Sequence, residues 1–289
     1  MTKFFFSPRF CISQDMVVVV GVGGWGIRTA LTLGAKKYAL IDSDDRILSL
    51  MKDYEVDMRL VVTSSCSPND SWTEMYLNDS IAEKSVDLIA RLIKSEKSPQ
   101  ELLVFHSLGG ATGSAMTARI CEDIKNLFTT CRITTVALLP LREMVAVHVN
   151  PYVIAGLAAL VNAVDGIILV EHCTMSYQII YDKISEINAF LFPRESTIAC
   201  LVVNPLTSTD LRSADFAYIV SSSSQNFLSE KSSAPKVKNV IDKNVKFFGL
   251  VSSKPILNNI LKKWISQVPD SCSIESSALE SALETLRNY

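Results

Sequence analysis

Residues 104–116 read VFHSLGGATGSAM, and this stretch decides the fold. An apolar strand runs straight into a glycine-rich loop, and helix-compatible sequence follows at once. Gly109, Gly110 and Gly113 let backbone N–H groups approach an anion closely. Thr112 and Ser114 add hydroxyl donors, and the following helix offers its positive N-terminal end. The spacing is not G-x-x-x-x-G-K-[ST] and no lysine reaches in, so this is not a P-loop; nor is it the G-x-S-x-G of a nucleophile elbow.

A second such loop lies upstream. Residues 17–26 read VVVVGVGGWG, a buried strand entering glycines whose last six residues fit G-x-G-x-x-G. Alone, this is the fingerprint of a dinucleotide fold, with Gly21, Gly23 and Gly26 at the pyrophosphate and Asp42, ending the next strand, on the ribose. That pattern reads as a Rossmann-type NAD(P)-dependent oxidoreductase. The plainer alternative is that the glycines only let helix and strand pack closely. A dehydrogenase has no use for a second phosphate cradle, whereas two cradles on parallel strands suit one polyphosphate lying across the sheet edge.

Composition narrows the partners. The chain has 289 residues, 48% hydrophobic and 20% charged, enough for a sizeable core. Its longest apolar runs, Met16–Val20 and Gly166–Val170, fall far short of the roughly 20 residues of a membrane helix. The opening MTKFFFSPRF lacks the features of a signal peptide, so a soluble cytoplasmic chain without a membrane partner is expected. A net charge of −2 gives no basic field for nucleic acid. The seven cysteines form no C-x-x-C pair, and His106, His148 and His172 make no ligand set, so zinc is not expected.

Strand candidates are Met16–Val20, Lys37–Ile41, Met58–Val62, Leu102–His106, Arg132–Leu139 and Gly166–Val170. Between them, Ser80-Ile-Ala-Glu83 reads as a capping box opening a helix to about Ser95. Met116, Ile120, Ile124 and Leu127 are spaced for one helix face. Asn150-Pro151 opens a helix to about Ala163. This alternation predicts an α/β fold, a parallel-sheet nucleotide-binding domain with ligands at the carboxyl ends of the strands. Ser176–Val203 is helix-compatible, with Pro193 as a break or a start. Leu206–Asp215 reads as a polar loop, and Ser221–Ser233 as an exposed serine-rich one. A smaller α+β region follows, with a strand at Val245–Val251 and helices at Pro255–Gln267 and Ser273–Leu286. The expected division is a nucleotide-binding domain over 1–175, a central helical connector over 176–204, a smaller α+β domain over 205–272 and a helical tail over 273–289.

Ser107-Leu-Gly-Gly-Ala-Thr-Gly-Ser-Ala115 resembles the tubulin/FtsZ signature loop, G-G-G-T-G-[ST]-G. VVGVGGWGIRTA is similar to the FtsZ opening strand and loop, and Ile41-Asp-Ser-Asp44 to the V-N-T-D of the second nucleotide loop, in the same order and at similar spacing. Beyond residue 120 the resemblance loosens. Val149–Asp165 resembles an FtsZ helix and strand. Asn188-Ala189-Phe190 resembles the D-A-F that opens the central helix, and Ser213–Tyr218 the N-x-D-F-A-D synergy loop. The short C-terminal region with its helical tail looks most like the phage tubulins.

The resemblance implies a GTP/GDP-binding protein using Mg2+ that self-assembles head to tail, hydrolysing GTP where the synergy loop of one subunit meets the nucleotide of the next, and that positions viral or plasmid cargo. By position it assigns Gly21, Gly23, Gly24 and the loop Gly109, Gly110, Ala111, Thr112, Gly113 and Ser114 to the phosphates. Asp42 and Asp44 belong to the second loop, Asp44 as the metal candidate or a plain turn carboxylate. Ser64 and Ser65 lie where the γ-phosphate is sensed, Glu143 at the ribose loop, and Phe190 and His172 at the base. Asp210 and Asp215 are the catalytic carboxylates. Ala111 and Ala115 stand where glycines are usual, which predicts a reshaped loop if either position needs φ > 0. Tyr218 falls on the second synergy aspartate, which predicts slow hydrolysis or a displaced loop. Trp25, where the family is small, either packs under the loop or narrows the pocket mouth. The longitudinal contact is expected over Leu206–Tyr218. The tail, with Glu275, Glu280 and Glu284, is expected either to tether a neighbour or to pack on its own domain. A nucleotide-binding adaptor that does not polymerise remains the other reading within this fold.

Overall fold

The computed structural model describes residues 17–33, 35, 37–42, 58–61, 72–94, 101–140, 150–171, 177–191, 197–202, 214–222, 236–242, 247–265 and 276–288. Its centre is a ten-stranded sheet in the order β3-β2-β1-β4-β5-β6-β7-β10-β8-β9. The strands are β1 (Val17–Val22), β2 (Tyr38–Asp42), β3 (Met58–Val61), β4 (Glu101–Ser107), β5 (Arg132–Leu138), β6 (Gly166–Val170), β7 (Thr197–Val202), β8 (Phe216–Ser221), β9 (Lys236–Ile241) and β10 (Phe247–Ser252). All pairings are parallel except those of β10 with β7 and with β8. Every strand but β10 therefore points the same way, and the sheet has one carboxyl edge and one amino edge.

The six expected strands of the first half are present within two residues. They were legible because parallel strands are covered on both faces and read as unbroken runs of valine, isoleucine and leucine. The alternate residues Val18, Val20 and Val22 of β1 enter one core, while Val17 and Val19 enter the other. The first core is roofed by α3 (Asp79–Lys94), α4 (Thr117–Leu127), α5 (Asn150–Ala163), α7 (Lys254–Ile265) and α8 (Ser276–Asn288), with the short α2 (Trp72–Tyr76) beside them. The second lies under α1 (Gly23–Leu31) and α6 (Tyr177–Leu191).

Several local expectations need correction. Helix α3 starts one residue before Ser80, and its N-terminal cap is Asn78, whose Oδ1 accepts the Ile81 N–H at 3.2 Å. On α4 the buried face is Ile120 and Ile124 with Met116 before it, whereas Leu127 is exposed. Within the expected connector, Thr197–Val202 is strand β7, hydrogen-bonded to β6 on one side and β10 on the other. The sheet thus runs unbroken from the first half of the chain into the second. The tail helix α8 packs on α5, with Leu279 and Leu286 buried and Glu280 and Glu284 facing solvent; Glu275 lies outside the described residues.

Helix α6 runs from the carboxyl edge to the amino edge. Its last turns are pinned there by Ser185, whose Oγ donates to Glu101 at the start of β4, and by Asn188, whose Oδ1 accepts from Thr134 at the start of β5, both at 2.8 Å.

Candidate functional site

β1 and β4 are neighbours with Val22 opposite His106, so the chain leaves the sheet at Gly23 and at Ser107 side by side. Gly23, with φ +74°, is the only residue of positive φ among those described. This lets β1 turn directly into α1 with no intervening loop. The first turn of α1 has no side-chain cap, which leaves its N–H groups facing the sheet's carboxyl edge. A Cβ added at Gly23 would stand 3.5 Å from the Cα and N of Gly113, so the two glycine loops touch. At Gly26 an added Cβ would collide with the Phe105 carbonyl, because α1 lies directly on β4. Gly26 therefore serves packing, the plainer of the two roles its pattern allowed.

The second loop is a short helical entry. Ser107 Oγ accepts the Gly109 N–H at 3.2 Å, and Gly110 O accepts the Ser114 N–H at 2.8 Å. A π-turn over Thr112–Met116 then feeds α4, again without a side-chain cap at its start. Such turns place extra backbone curvature at ligand sites. Ala111 adopts φ −56°, an ordinary helical value, so this position does not need φ > 0 and alanine costs nothing there. Two uncapped helix starts thus converge at one point of the edge, an arrangement fitted to an oligophosphate.

Ser114 departs from its expected role. It is fully buried, its Oγ donates to the Tyr152 carbonyl of α5 at 2.8 Å, and it accepts the Trp72 Nε1 proton at 2.9 Å. The hydroxyl faces the helical layer and cannot also face a phosphate. Ser114→Ala is expected to cost about 1–3 kcal/mol in urea unfolding while leaving nucleotide affinity within about twofold. A large affinity loss at unchanged stability would return the hydroxyl to the phosphates.

His106, the last buried residue of β4, has no solvent exposure. Burial holds its imidazole down at about 4, against a weaker upward pull from the backbone of Gly113 and Ser107. The folded-state value thus lies below the unfolded one. As pH falls below about 6.5 the unfolded chain takes up a proton that the folded chain refuses until near 4. Stability is therefore lost through that window, by about 3 kcal/mol in all. Urea midpoints at pH 7 and pH 4.5 are expected to fall less in His106→Leu than in the wild-type chain.

The remaining expected residues divide. Gly21, Gly23, Gly24, Gly109, Gly110, Ala111, Thr112 and Gly113 gather at the carboxyl edge, and Asp42 sits there, buried, at the end of β2. Asp44, Ser64, Ser65, Glu143, His172 and Asp210 lie outside the described residues, and among the described residues no group of three His, Cys, Asp or Glu is placed to hold a metal. Phe190 is not with the glycine loops. It belongs to the last turn of α6, at the amino edge, so its alignment with a base-contacting aromatic at a helix start fails. Asp215 is exposed at the start of β8, also at the amino edge, with its N–H donating to Ser252 O at 2.7 Å.

Tyr218 is not a loop residue. It sits in the middle of β8 with no exposure, opposite Leu250, and its hydroxyl faces the Glu186 carboxylate, which pairs with Lys238 at 2.7 Å. Burial and that carboxylate push the phenol up. It is a core residue and not a replacement for a catalytic carboxylate.

Two contributors escaped sequence reasoning. Ser107 shapes the loop; its signal was a polar residue ending an apolar strand beside glycines. Tyr177 opens α6 at the carboxyl edge and meets Trp25 edge-on at 5.4 Å and Phe105 at 6.1 Å. Trp25 therefore packs sideways against α6, partly buried beside the first loop, and not beneath it.

Comparison with known proteins follows the same lines. A search of curated proteins finds no match. Among solved structures the chain is similar to CetZ from Methanosaeta thermophila strain DSM 6194, with a TM-score of 0.63 over 94% of this chain and 96% of that one. At 16% identity this likeness speaks for the fold. The family model described as Tubulin/FtsZ family, GTPase domain, matches residues 16–177, more than half the chain and the whole span of both glycine loops. With the fold, the paired loops and the matched span in agreement, the chain belongs to the tubulin/FtsZ family, and the site at its carboxyl edge is that of a GTP- or GDP-binding domain.

Proposed function

We propose that this protein is a GTP-dependent, self-assembling filament protein that hydrolyses its nucleotide between subunits. The observation that carries the reading is the separation of its parts. The glycine loops occupy the carboxyl edge of the sheet, and Asp215 stands exposed at the amino edge. With about 3.3 Å per residue, the seven residues of β4 hold these ends roughly 20 Å apart. No single subunit can bring that carboxylate to its own nucleotide, but head-to-tail stacking presents the amino edge of one copy to the loops of the next. The chemistry is then positioning of water and electrostatic relief at the transferred phosphoryl group. Mg2+ would balance phosphate charge, with Asp44 its candidate ligand or water-shell partner. A place near the phage tubulins and a role in moving viral or plasmid cargo belong to the same proposal, and the resemblance of the helical tail, which packs on α5, is what supports them.

Light scattering of the purified chain on GTP addition, followed by negative-stain microscopy, tests the reading. Filaments with GTP and their loss on GTP depletion are expected. GTP binding without scattering would support the adaptor reading instead. Tryptophan fluorescence in a chain lacking Trp72 and Trp264 is expected to change on GTP addition, because Trp25 borders the first loop.

A further inference from the structure

The imidazole of His106 is the one polar side chain of β4 that packs inward beneath the second glycine loop. Strand alternation sends Leu103 and Phe105 toward α1 and α6 and Leu102 and Val104 toward α3–α5, so His106 faces the same layer as the π-turn. The ring is wholly buried, and neither nitrogen makes a hydrogen bond of good geometry. The backbone groups that face it are those of Ser107 and Gly113, and since both favour the protonated ring they act as acceptors, that is, carbonyls. These two residues are the ends of the loop. A buried donor left short of its acceptors weakens the fold, and an apolar side chain of similar volume would serve stability better. Incomplete polar satisfaction beneath a ligand loop is the kind of local inconsistency that folded proteins retain at functional sites.

We propose that His106 is a positioning residue for the second glycine loop: when a nucleotide phosphate draws the loop inward, the ring N–H closes its bond to the loop-end carbonyls and thereby fixes the loop's own N–H groups on that phosphate. The inference rests on the nucleotide reading of this site. The ring touches no substrate atom; it acts through Ser107 and Gly113. Their backbones already lie against each other, since a Cβ on Gly113 would stand 2.5 Å from Ser107 O, so one donor holds both ends.

The test compares His106→Leu, which fills the space without a donor, with His106→Gln, which keeps one. Two quantities are read: the affinity for a fluorescent GTP analogue competed with GTP, and the urea midpoint of the nucleotide-free chain at pH 7. Leucine is expected to weaken binding at least tenfold with an unchanged or higher midpoint, and glutamine to bind within threefold of the wild-type chain. Wild-type affinity in His106→Leu overturns the proposal, as does an affinity loss matched by a lowered midpoint or not restored by glutamine. A wild-type chain that binds neither GTP nor GDP sinks the nucleotide reading itself, a result separate from all of these. Should the leucine variant not fold, 15N-histidine spectra of the wild-type chain decide. The His106 ring signal is expected to shift and its N–H to gain exchange protection on GTP addition, and an unmoved signal overturns the proposal.

Discussion

Gly26→Val is expected to leave the chain largely unfolded, at a cost of about 4 kcal/mol or more. The Cβ alone would already sit inside the Phe105 carbonyl oxygen. That oxygen belongs to β4, paired in register with β1 and β5, and cannot retreat without breaking the centre of the sheet. Helix α1 cannot retreat either, since Ile27 and Ala30 are buried against the same strands. The outward shift needed for a valine would uncover that face and part Gly23 from Gly113. Against a typical domain stability of 5–15 kcal/mol this is a large fraction. Circular dichroism with urea titration measures it, and a variant with the wild-type midpoint would show that α1 does not lie on β4 as described.

Asp215→Ala is expected to lower GTP turnover under assembling conditions by about 10²-fold and to leave GTP affinity of the unassembled chain within about twofold. Both halves follow from where the residue stands. It is exposed at the amino edge, about one sheet width from the glycine loops, so its loss leaves the subunit's own site intact and removes a carboxylate only from the site of a neighbour. Its backbone stays anchored through the N–H bond to Ser252 O, so the truncation is confined to the side chain. Phosphate release measured across the assembly concentration checks the expectation. Turnover that is unchanged while filaments form would remove Asp215 from catalysis. Weakened binding to the monomer would contradict the distance between the two edges.

The two edges also mark where sequence reasoning succeeded and where it stopped. The first six strands were legible because their apolar runs are continuous, and the two glycine loops because strand, glycines and helix follow one another within about a dozen residues. Strand β7 was hidden: TIACLV follows a helix and a proline, and a short apolar run has no period of its own with which to declare itself a strand. Strand β9, KVKNVI, carries polar residues at the rim of the sheet and gave no signal of burial. The Asn78 cap was missed because Ser80 offered an equally good local pattern. Tyr218 looks in sequence like a substituted catalytic position because a six-residue motif match carries no sign that Phe216–Ser221 is a strand packed on α6.

The sequence by itself determined the local chemistry: which residues lack a Cβ, where strands end in glycine, and hence that two anion-accepting turns exist on parallel strands. Those follow from backbone sterics and from the alternation of apolar runs, which act over neighbouring residues. Only the tertiary structure decided which way each group faces and on which edge it stands. Ser114 has the composition of a phosphate donor, yet its hydroxyl is claimed by partners 38 and 42 residues away. Phe190 and Asp215 gain or lose a place in the site solely by which end of the sheet the chain has reached. Such choices are made by packing between distant segments, where the loss of a buried hydrogen bond or a backbone overlap outweighs any local preference.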